Sequence, residues 1–300
     1  MKDSKTIIIE NALRLLVETN SHKLFLFLNT ITECQWWQNS GITDRKHIVI
    51  VIPKELKITT TELKQSCAAI IRTWSGEQSR FSRIKYAFLH GVMQGMINED
   101  SKVVCVIGPS GRTHLDTITL HDLSLSWSEE FPFDVRGIIK NNSFHTIMAA
   151  VDIALDVGAI GREGKSVGTI FVVGDSDNVM KLSHQAVFNA FKGYPKKERM
   201  IGLHEVVESL KELAKLDGAI VISEDGCVEA AGRHLDAGSA ISKQQKEFRG
   251  LGARHRAAIG ITKETKAVAI VVSESTGKIT IFEKGHMIST LEPLIVRRLT

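Results

Sequence analysis

Short, uninterrupted apolar runs recur along the first third of the chain and limit the folds it can adopt. Leu24–Leu28, Ile48–Ile52 and Val103–Ile107 are such runs, and segments with apolar residues at helical spacing separate them. Continuous runs of this length are typical of parallel strands that helices cover on both faces. The sequence therefore predicts an N-terminal three-layer α/β domain built from β–α–β units.

The length and patterning of the chain indicate two domains. Its 300 residues are about twice the length of a typical domain. Apolar spacing predicts helices over residues 6–18, Thr60–Trp74 and Ser82–Met96, whereas residues 122–142 show no clear period. We predict a regulatory or oligomerisation domain over residues 1–125, a linker over 126–144 and a second domain over 145–300.

The second domain alternates helix and strand patterns, so it is also expected to be α/β. A helix over Thr146–Val157 is predicted to end at Gly158, and a strand follows at Thr169–Val173. The other predicted elements are helices over Asn178–Phe191, Leu203–Lys215 and Arg254–Thr262, and hairpins pairing Gly218–Ser223 with Cys227–Ala231 and Ala267–Ser273 with Lys278–Phe282.

Composition excludes several classes of protein. The 38 basic and 34 acidic side chains leave a net charge of +4, which is too weak for a protein that coats DNA but fits local capture of anions. The four cysteines form no CxxC pair, which argues against a disulfide framework and a structural zinc site and favours a reducing compartment. No apolar run approaches the ~18 residues of a membrane span, so we expect a soluble, cytoplasmic protein.

Residues 161–166, Gly-Arg-Glu-Gly-Lys-Ser, partly resemble a phosphate-binding P-loop. That motif needs a glycine where this chain has Ala159, and it leaves a strand to open a helix. Here the segment follows a predicted helix and precedes a predicted strand. We interpret it as a glycine-rich turn.

Three separated segments carry the side chains that suit phosphate chemistry. Asp217-Gly218-Ala219 lies between a helix and a strand, Arg254-His255-Arg256 lies at a helix start, and Ser273-Glu274 follows a strand. Arginines at a helix N-terminus suit a polyanion, and a carboxylate at a strand end can hold a divalent cation. On composition alone, we favour an ordinary turn, a solvated helix start or a hairpin end for each segment over a phosphate site.

Taken in order and at this spacing, the Asp-Gly-Ala and Arg-His-Arg signatures resemble the diadenylate cyclase (DAC) family, which includes the DNA-integrity scanning protein DisA. The resemblance extends over about residues 145–290. It also includes residues 161–165, Gly168–Asp175, Val272–Glu274 and Thr276-Gly277.

The resemblance implies a fold, a reaction and a set of site residues. It implies a mixed central sheet flanked by helices, and the condensation of two ATP into the second messenger cyclic di-AMP and two pyrophosphates. Two DAC domains face each other in a homo-oligomer, with Mn²⁺ or Mg²⁺ in support. By the same resemblance, Asp217 assists deprotonation of the attacking hydroxyl and holds the metal with Glu274, while Arg254, His255 and Arg256 grip the phosphates. The other residues implied to border ATP are Gly218, Ala219, Leu235, Gly252, Ala253, Ala257 and Ser273.

Two departures from the family pattern keep a second function open. Many members have Thr where this chain has Ala253, and some have a metal-binding His where it has Leu216. The acidic and basic core of the motif is intact. The alternative is a catalytically weak DAC-like module that senses nucleotide.

The arrangement of the two domains resembles soluble archaeal-type diadenylate cyclases, whose first domain is similar to the C-terminal domain of pyruvate kinase. Residues 102–108, followed by Ser110–Thr113, resemble that domain's last strand and loop. The loop is either an anion or effector pocket or, as we favour, a surface turn.

Overall fold

A computed structural model of the chain describes residues 3–43, 45–58, 63–125, 143–161, 167–236 and 252–293. The chain divides into two compact units, Met1–Arg136 and Gly137–Thr300. The division falls in the predicted linker, most of which lies outside the described residues, so the domain limits stay a prediction. Each unit has its own mixed sheet with helices, which confirms the α/β fold class. Among the described helices, none is both long and apolar enough to cross a bilayer.

The first unit is built on a five-stranded sheet in the order β3-β2-β1-β4-β5. The first four strands are parallel, and β5 is antiparallel to β4. The elements are α1 (Ser4–Glu18), β1 (Lys23–Phe27), α2 (Ile31–Gln38), β2 (Ile48–Pro53), β3 (Ala69–Thr73), α3 (Arg80–Met93), β4 (Lys102–Ile107) and β5 (Thr117–Asp122).

The three apolar runs of the first unit are buried strands, as predicted. The helix predicted over Thr60–Trp74 is wrong, because Ala69–Thr73 forms β3 and pairs in parallel with β2. Residues 59–62 lie outside the described part of the chain. The segment Ala-Ile-Ile-Arg-Thr is short and rich in β-branched residues, and a window this short fits both periods. Strand β5 was not predicted, because its residues are mostly only partly buried.

The second unit is built on a seven-stranded sheet in the order β12-β11-β10-β6-β8-β9-β7. Only β6 and β8 run parallel to each other; the other neighbouring pairs are antiparallel. This arrangement confirms the mixed sheet that the family resemblance implied. The elements are α4 (Phe144–Ile160), β6 (Thr169–Val173), α5 (Ser176–Lys181), β7 (Ser183–Gln185), α6 (His204–Leu213), β8 (Ala219–Ile222), β9 (Val228–Leu235), α7 (Ala253–Glu264), β10 (Val268–Val272), β11 (Ile279–Glu283) and β12 (His286–Leu291).

Two predictions for the second unit are wrong. The helix predicted over Asn178–Phe191 ends at Lys181, and β7 follows it as an edge strand paired with β9. The Arg233 side chain donates to the Met180 carbonyl at 2.7 Å and to Ser183 Oγ at 2.9 Å, so a residue distant in sequence ends the helix. Gly158 does not end α4, which continues to Ile160 before a cap at Gly161 with φ 61°.

The imidazole of His121 is expected to make the first unit sensitive to acid. The ring lies edge-on to Phe88 at 5.3 Å, and Nε2 lies 3.0 Å from Thr119 Oγ1. Burial lowers the pKa of His121 to about 4. An unfolded histidine has a pKa of about 6.5, so below that pH the unfolded chain binds a proton that the folded chain binds only near pH 4.

We expect the free energy of unfolding to fall as the pH drops from 6.5 to 4, with His121 contributing about 2–3 kcal/mol of that loss. Urea unfolding at pH 7 and pH 4.5 measures it. The variant His121→Gln should lose less stability over the same interval, since the carboxylates common to both proteins cancel in the comparison. An equal loss in the two proteins would exclude this role for His121.

Candidate functional site

The side chains of Asp217, Arg254 and Glu274 meet at one end of the second sheet. Asp217 precedes β8, Arg254 lies in the first turn of α7, and Glu274 follows β10. Arg254 Nη1 lies 2.7 Å from Glu274 Oε2, and Nη2 lies 3.5 Å from Asp217 Oδ1. One guanidinium therefore bridges two carboxylates that come from strands on either side of β6.

Gly168 provides the room for this cluster. It precedes β6, and a Cβ atom at this position would lie 2.7 Å from Arg254 Nη1 and 2.8 Å from Glu274 Cβ. Any side chain here would displace the guanidinium. Sequence reasoning included Gly168 only in the family-like segment and gave it no role; a glycine directly before a buried strand was the available signal.

The N-terminus of α7 is an unusually basic helix start. Gly252 is the N-cap and makes no side-chain capping bond, and the first turn contains no acidic residue. Arg254, His255 and Arg256 occupy that turn instead. Cations are unfavourable at the positive end of a helix unless an anion is close. Asp217 and Glu274 supply negative charge here, and exposed Gly252 and Ala253 leave the helix end open to a polyanion.

Of the residues after Arg254, His255 and Ala257 pack against the protein interior, whereas Arg256 carries a positive charge. The His255 ring lies edge-on to Phe282 with 6.0 Å between centroids, and burial lowers the pKa of His255. The imidazole is therefore neutral at pH 7, so the positive charge of the Arg-His-Arg segment comes from its two arginines. Ala257 packs partly buried against the apolar core.

Asp217 is followed by a glycine that the backbone requires. Gly218 has φ +113°, and a Cβ atom there would lie 2.6 Å from the carbonyl carbon of Gly232 in β9. Ala219 and Leu235 belong to the buried core of this unit, at 1% and 5% exposure. Their side chains thus pack the core beside Asp217 rather than face solvent.

The turn that carries Ser273 and Glu274 packs directly on helix α4. Ser273 Oγ lies 3.2 Å from Ser275 Oγ. A Cβ atom on Gly158 would lie 2.4 Å from the carbonyl oxygen of Gly277, which itself has φ +68°. The contact is main chain against main chain, and it fixes the turn on which Glu274 lies. The role of Gly158 is close approach, not helix termination.

A family model described as "DisA bacterial checkpoint controller nucleotide-binding" matches residues 157–287, which include all three segments of the site. A diadenylate cyclase of Methanocaldococcus jannaschii is 33% identical over 72% of this chain and 68% of its own. A diadenylate cyclase of Haloferax volcanii is 39% identical over 70% of this chain and 75% of its own. The chain belongs to the diadenylate cyclase family.

Similarity to a solved structure is weaker. The crystal structure of a hypothetical membrane spanning protein from Bacillus cereus aligns with 51% of this chain and 64% of its own, at 22% identity and a TM-score of 0.35. The match to the two archaeal diadenylate cyclases, by contrast, reaches well beyond the DAC segment, since it covers 72% and 70% of the chain.

The acidic pair of this cluster, Asp217 and Glu274, has the chemistry that a divalent cation needs. The Asp217 and Glu274 side chains are 90% and 69% exposed, and both direct an oxygen at the same positive group. Hard divalent cations prefer carboxylate oxygens of this kind. Leu216, in the position where some members have histidine, offers no ligand. Of the P-loop-like segment, residues 162–166 lie outside the described part of the chain.

Proposed function

We propose that this protein condenses two ATP molecules into cyclic di-AMP and releases two pyrophosphates, at a site formed between two face-to-face DAC domains. Family membership supports the reaction. The observation that carries the site is the bridge of Arg254 between Asp217 and Glu274 at the basic start of α7. Opposite charges held this close, yet open to solvent, suit a substrate with a polyphosphate chain.

The reaction consists of two equivalent displacements. The ribose 3′-oxygen of one ATP attacks the α-phosphorus of the other, a phosphorus–oxygen bond forms, and the bond from the α-phosphorus to the oxygen bridging it to the β-phosphate breaks. Pyrophosphate leaves with that oxygen. Asp217 assists removal of the 3′-hydroxyl proton, and the second displacement closes the ring in the same way.

Arg254 changes partners when the nucleotide binds. Its guanidinium turns from the two carboxylates to phosphate oxygens, for which its planar fork is suited. Arg256 and the backbone amides at the start of α7 add positive potential, and neutral His255 contributes a hydrogen bond. Gly252 lets the nucleotide approach the main chain closely, since a Cβ atom there would meet only His255 Nδ1, at 4.0 Å. Gly218 borders the nucleotide, while the space left by its missing side chain is taken by β9.

Asp217 and Glu274 would hold Mn²⁺ or Mg²⁺. When bound, such an ion would supply positive charge beside the phosphate oxygens, which favours departure of pyrophosphate. With Arg254 turned to the phosphates, the two carboxylates would be available to hold the cation.

Two domains are needed because each bound ATP must present its 3′-hydroxyl to the α-phosphate of the other. A single domain with one Asp217 and one Arg254 cluster serves one nucleotide. The partner in this proposal is therefore a second copy of the chain, related by a two-fold axis. The first unit serves regulation or oligomerisation.

Subunit mixing tests this proposal. Wild-type protein with ATP and Mn²⁺ should yield cyclic di-AMP by chromatography. Equal amounts of wild type and Asp217→Asn, after subunit exchange, should yield about half the cyclic product per wild-type chain, because only wild-type pairs complete both displacements. Mixed pairs should accumulate the linear dinucleotide that retains a triphosphate.

Two outcomes would contradict the proposal. Cyclic product per wild-type chain that is unaffected by the dead partner would show that one chain acts alone. Thermal stabilisation of the wild type by ATP without any product would instead identify the catalytically weak sensor.

The variant Gly168→Ala should lower the rate of product formation on the order of 10-fold to 100-fold without unfolding the protein. A Cβ atom there would lie 2.7 Å from Arg254 Nη1 and 2.8 Å from Glu274 Cβ, so the added methyl group displaces both the guanidinium and the residue that carries the second carboxylate. Gly202→Ala is the matched control, because a Cβ atom there meets nothing within 4 Å. Steady-state rates and circular dichroism of both variants measure the effect. Equal rates in the two variants would show that the position of Arg254 is not set by Gly168.

A further inference from the structure

Three ligand-type side chains meet at the β7–β9 edge of the second sheet. His184 in β7 and His234 in β9 are direct cross-strand partners. Asp236 follows β9 and lies beside both. One nitrogen of each imidazole and one carboxylate oxygen all lie within 4.8 Å of one another, and no other such group of three or more exists in the described ranges of the chain.

Both imidazoles direct the same type of nitrogen at the same oxygen. His184 Nδ1 lies 2.8 Å and His234 Nδ1 lies 3.4 Å from Asp236 Oδ1. The ring centroids are 5.0 Å apart, and the ring planes differ by 30°. Four ligands with metal bonds of 2.0–2.1 Å lie about 3.4 Å from each other in a tetrahedron. Two of the three ligand separations are therefore already close to those of a metal site.

The backbone beneath these side chains is fixed by hydrogen bonds. Arg233 Nε donates to Ser183 Oγ at 2.9 Å, which ties β9 to β7 next to the two histidines. The Asp236 amide donates to the Leu182 carbonyl at 2.9 Å. Ligands on rigid, paired strands need little rearrangement to bind a metal.

We propose that His184, His234 and Asp236 bind one divalent transition metal of the Zn²⁺ class. Imidazole nitrogens favour Zn²⁺, Co²⁺, Ni²⁺ and Cu²⁺ over Mg²⁺, whereas the Asp217–Glu274 pair offers only oxygens. Side-chain exposures of 62%, 66% and 49% leave the fourth coordination position open to water or another ligand. The bound metal links β7 to β9 through one ligand on each strand. This site is distinct from the Asp217–Glu274 pair of the proposed reaction.

Co²⁺ binding to the full-length chain tests this site. Excess Mg²⁺ is kept present to occupy carboxylate-only sites. We expect one Co²⁺ per chain, with the visible absorption of tetrahedral Co²⁺ and without the near-ultraviolet band of cobalt–sulfur bonds. Zn²⁺ should displace the Co²⁺ and abolish the absorption.

Single variants decide whether these residues are the ligands. His184→Ala and His234→Ala should each weaken Co²⁺ binding by at least 10-fold. Changing a residue that only orients a metal ligand weakens metal binding by about 10-fold or more, and removing the ligand itself should cost at least as much. The control His286→Ala removes an exposed histidine from β12, at the opposite edge of the same sheet, and should bind Co²⁺ as the wild type does. Wild-type affinity in both test variants, or no Co²⁺ binding by the wild type at millimolar concentration, would overturn the proposal.

Thermal unfolding provides a second readout that does not depend on colour or activity. Zn²⁺ at about 100 times its dissociation constant should raise the Tm of the wild type by roughly 5–10 °C. His286→Ala should retain that shift and His234→Ala should lose it. Because His234 is exposed, the metal-free Tm of His234→Ala should match that of the wild type, which separates loss of the site from loss of the fold.

Discussion

Replacing Asp217 by asparagine is expected to abolish cyclic di-AMP formation and to leave the fold and ATP binding in place. Asp217 is 90% exposed, so the change alters stability by less than about 0.5 kcal/mol. An amide keeps the shape of the side chain but neither accepts the 3′-hydroxyl proton nor attracts a cation. Losing both contributions should lower the rate of product formation by at least ~10³-fold.

Chromatographic product assays measure this loss, and the shift in Tm with ATP measures binding. Asp177→Asn is a matched control, since Asp177 is an exposed aspartate in helix α5 of the same unit. It should turn over ATP at the wild-type rate. Normal turnover by Asp217→Asn would remove this carboxylate from the mechanism.

The second large effect is expected for Arg254→Ala, with a loss of about 10²- to 10⁴-fold in kcat/KM, or about 3–5 kcal/mol of transition-state stabilisation. The alanine variant loses the guanidinium that would grip the phosphates. It also leaves the carboxylates of Asp217 and Glu274 facing a polyanionic substrate without the positive charge of the guanidinium that bridges them in the structure. Arg254→Lys keeps the charge and loses the fork, so its kcat/KM should lie between those of the alanine variant and the wild type.

A control variant on the same helix distinguishes the effect of the Arg254 position from the effect of losing one positive charge anywhere on the protein. Lys263 lies exposed in the last turn of α7, and Lys263→Ala removes one cation at the end opposite Arg254. It should keep kcat/KM near the wild-type value. Equal losses in Arg254→Ala and Lys263→Ala would show that net charge, not the position of the guanidinium, determines the rate. Stability should change little in Arg254→Ala, because ion pairs this exposed contribute at most about 1 kcal/mol.

Local patterns predicted the fold wherever neighbours in sequence decide the structure. The strand at Ile48–Ile52 and the hairpin of β10 and β11 both formed as predicted. In each case the signal, a continuous apolar run or a turn between two such runs, lies within the segment itself. Strand β7 was missed because Arg233, about 50 residues away, ends the preceding helix through its side chain. Strand β3 was missed because a short β-branched run has no distinct period.

The candidate site was predictable by residue but not by arrangement. The motifs pointed to Asp217, Arg254 and Glu274, yet their meeting depends on the sheet order β10-β6-β8. That order puts Gly168, at the start of β6, between the strands that bear the two carboxylates. No local pattern contains strand order, so neither the bridge through Arg254 nor the need for a glycine beneath it could be derived from the sequence.

The glycine contact between α4 and the Glu274 turn has a mechanical consequence. Helix α4 begins at Phe144, just after the stretch that connects the two units in sequence, and it meets Gly277 near its far end through Gly158. No compressible side chain lies between the two backbones. The end of α4 at Gly158 and the turn that contains Gly277 and Glu274 therefore cannot approach each other any further, so any shift of this helix end toward the turn must move the turn with it.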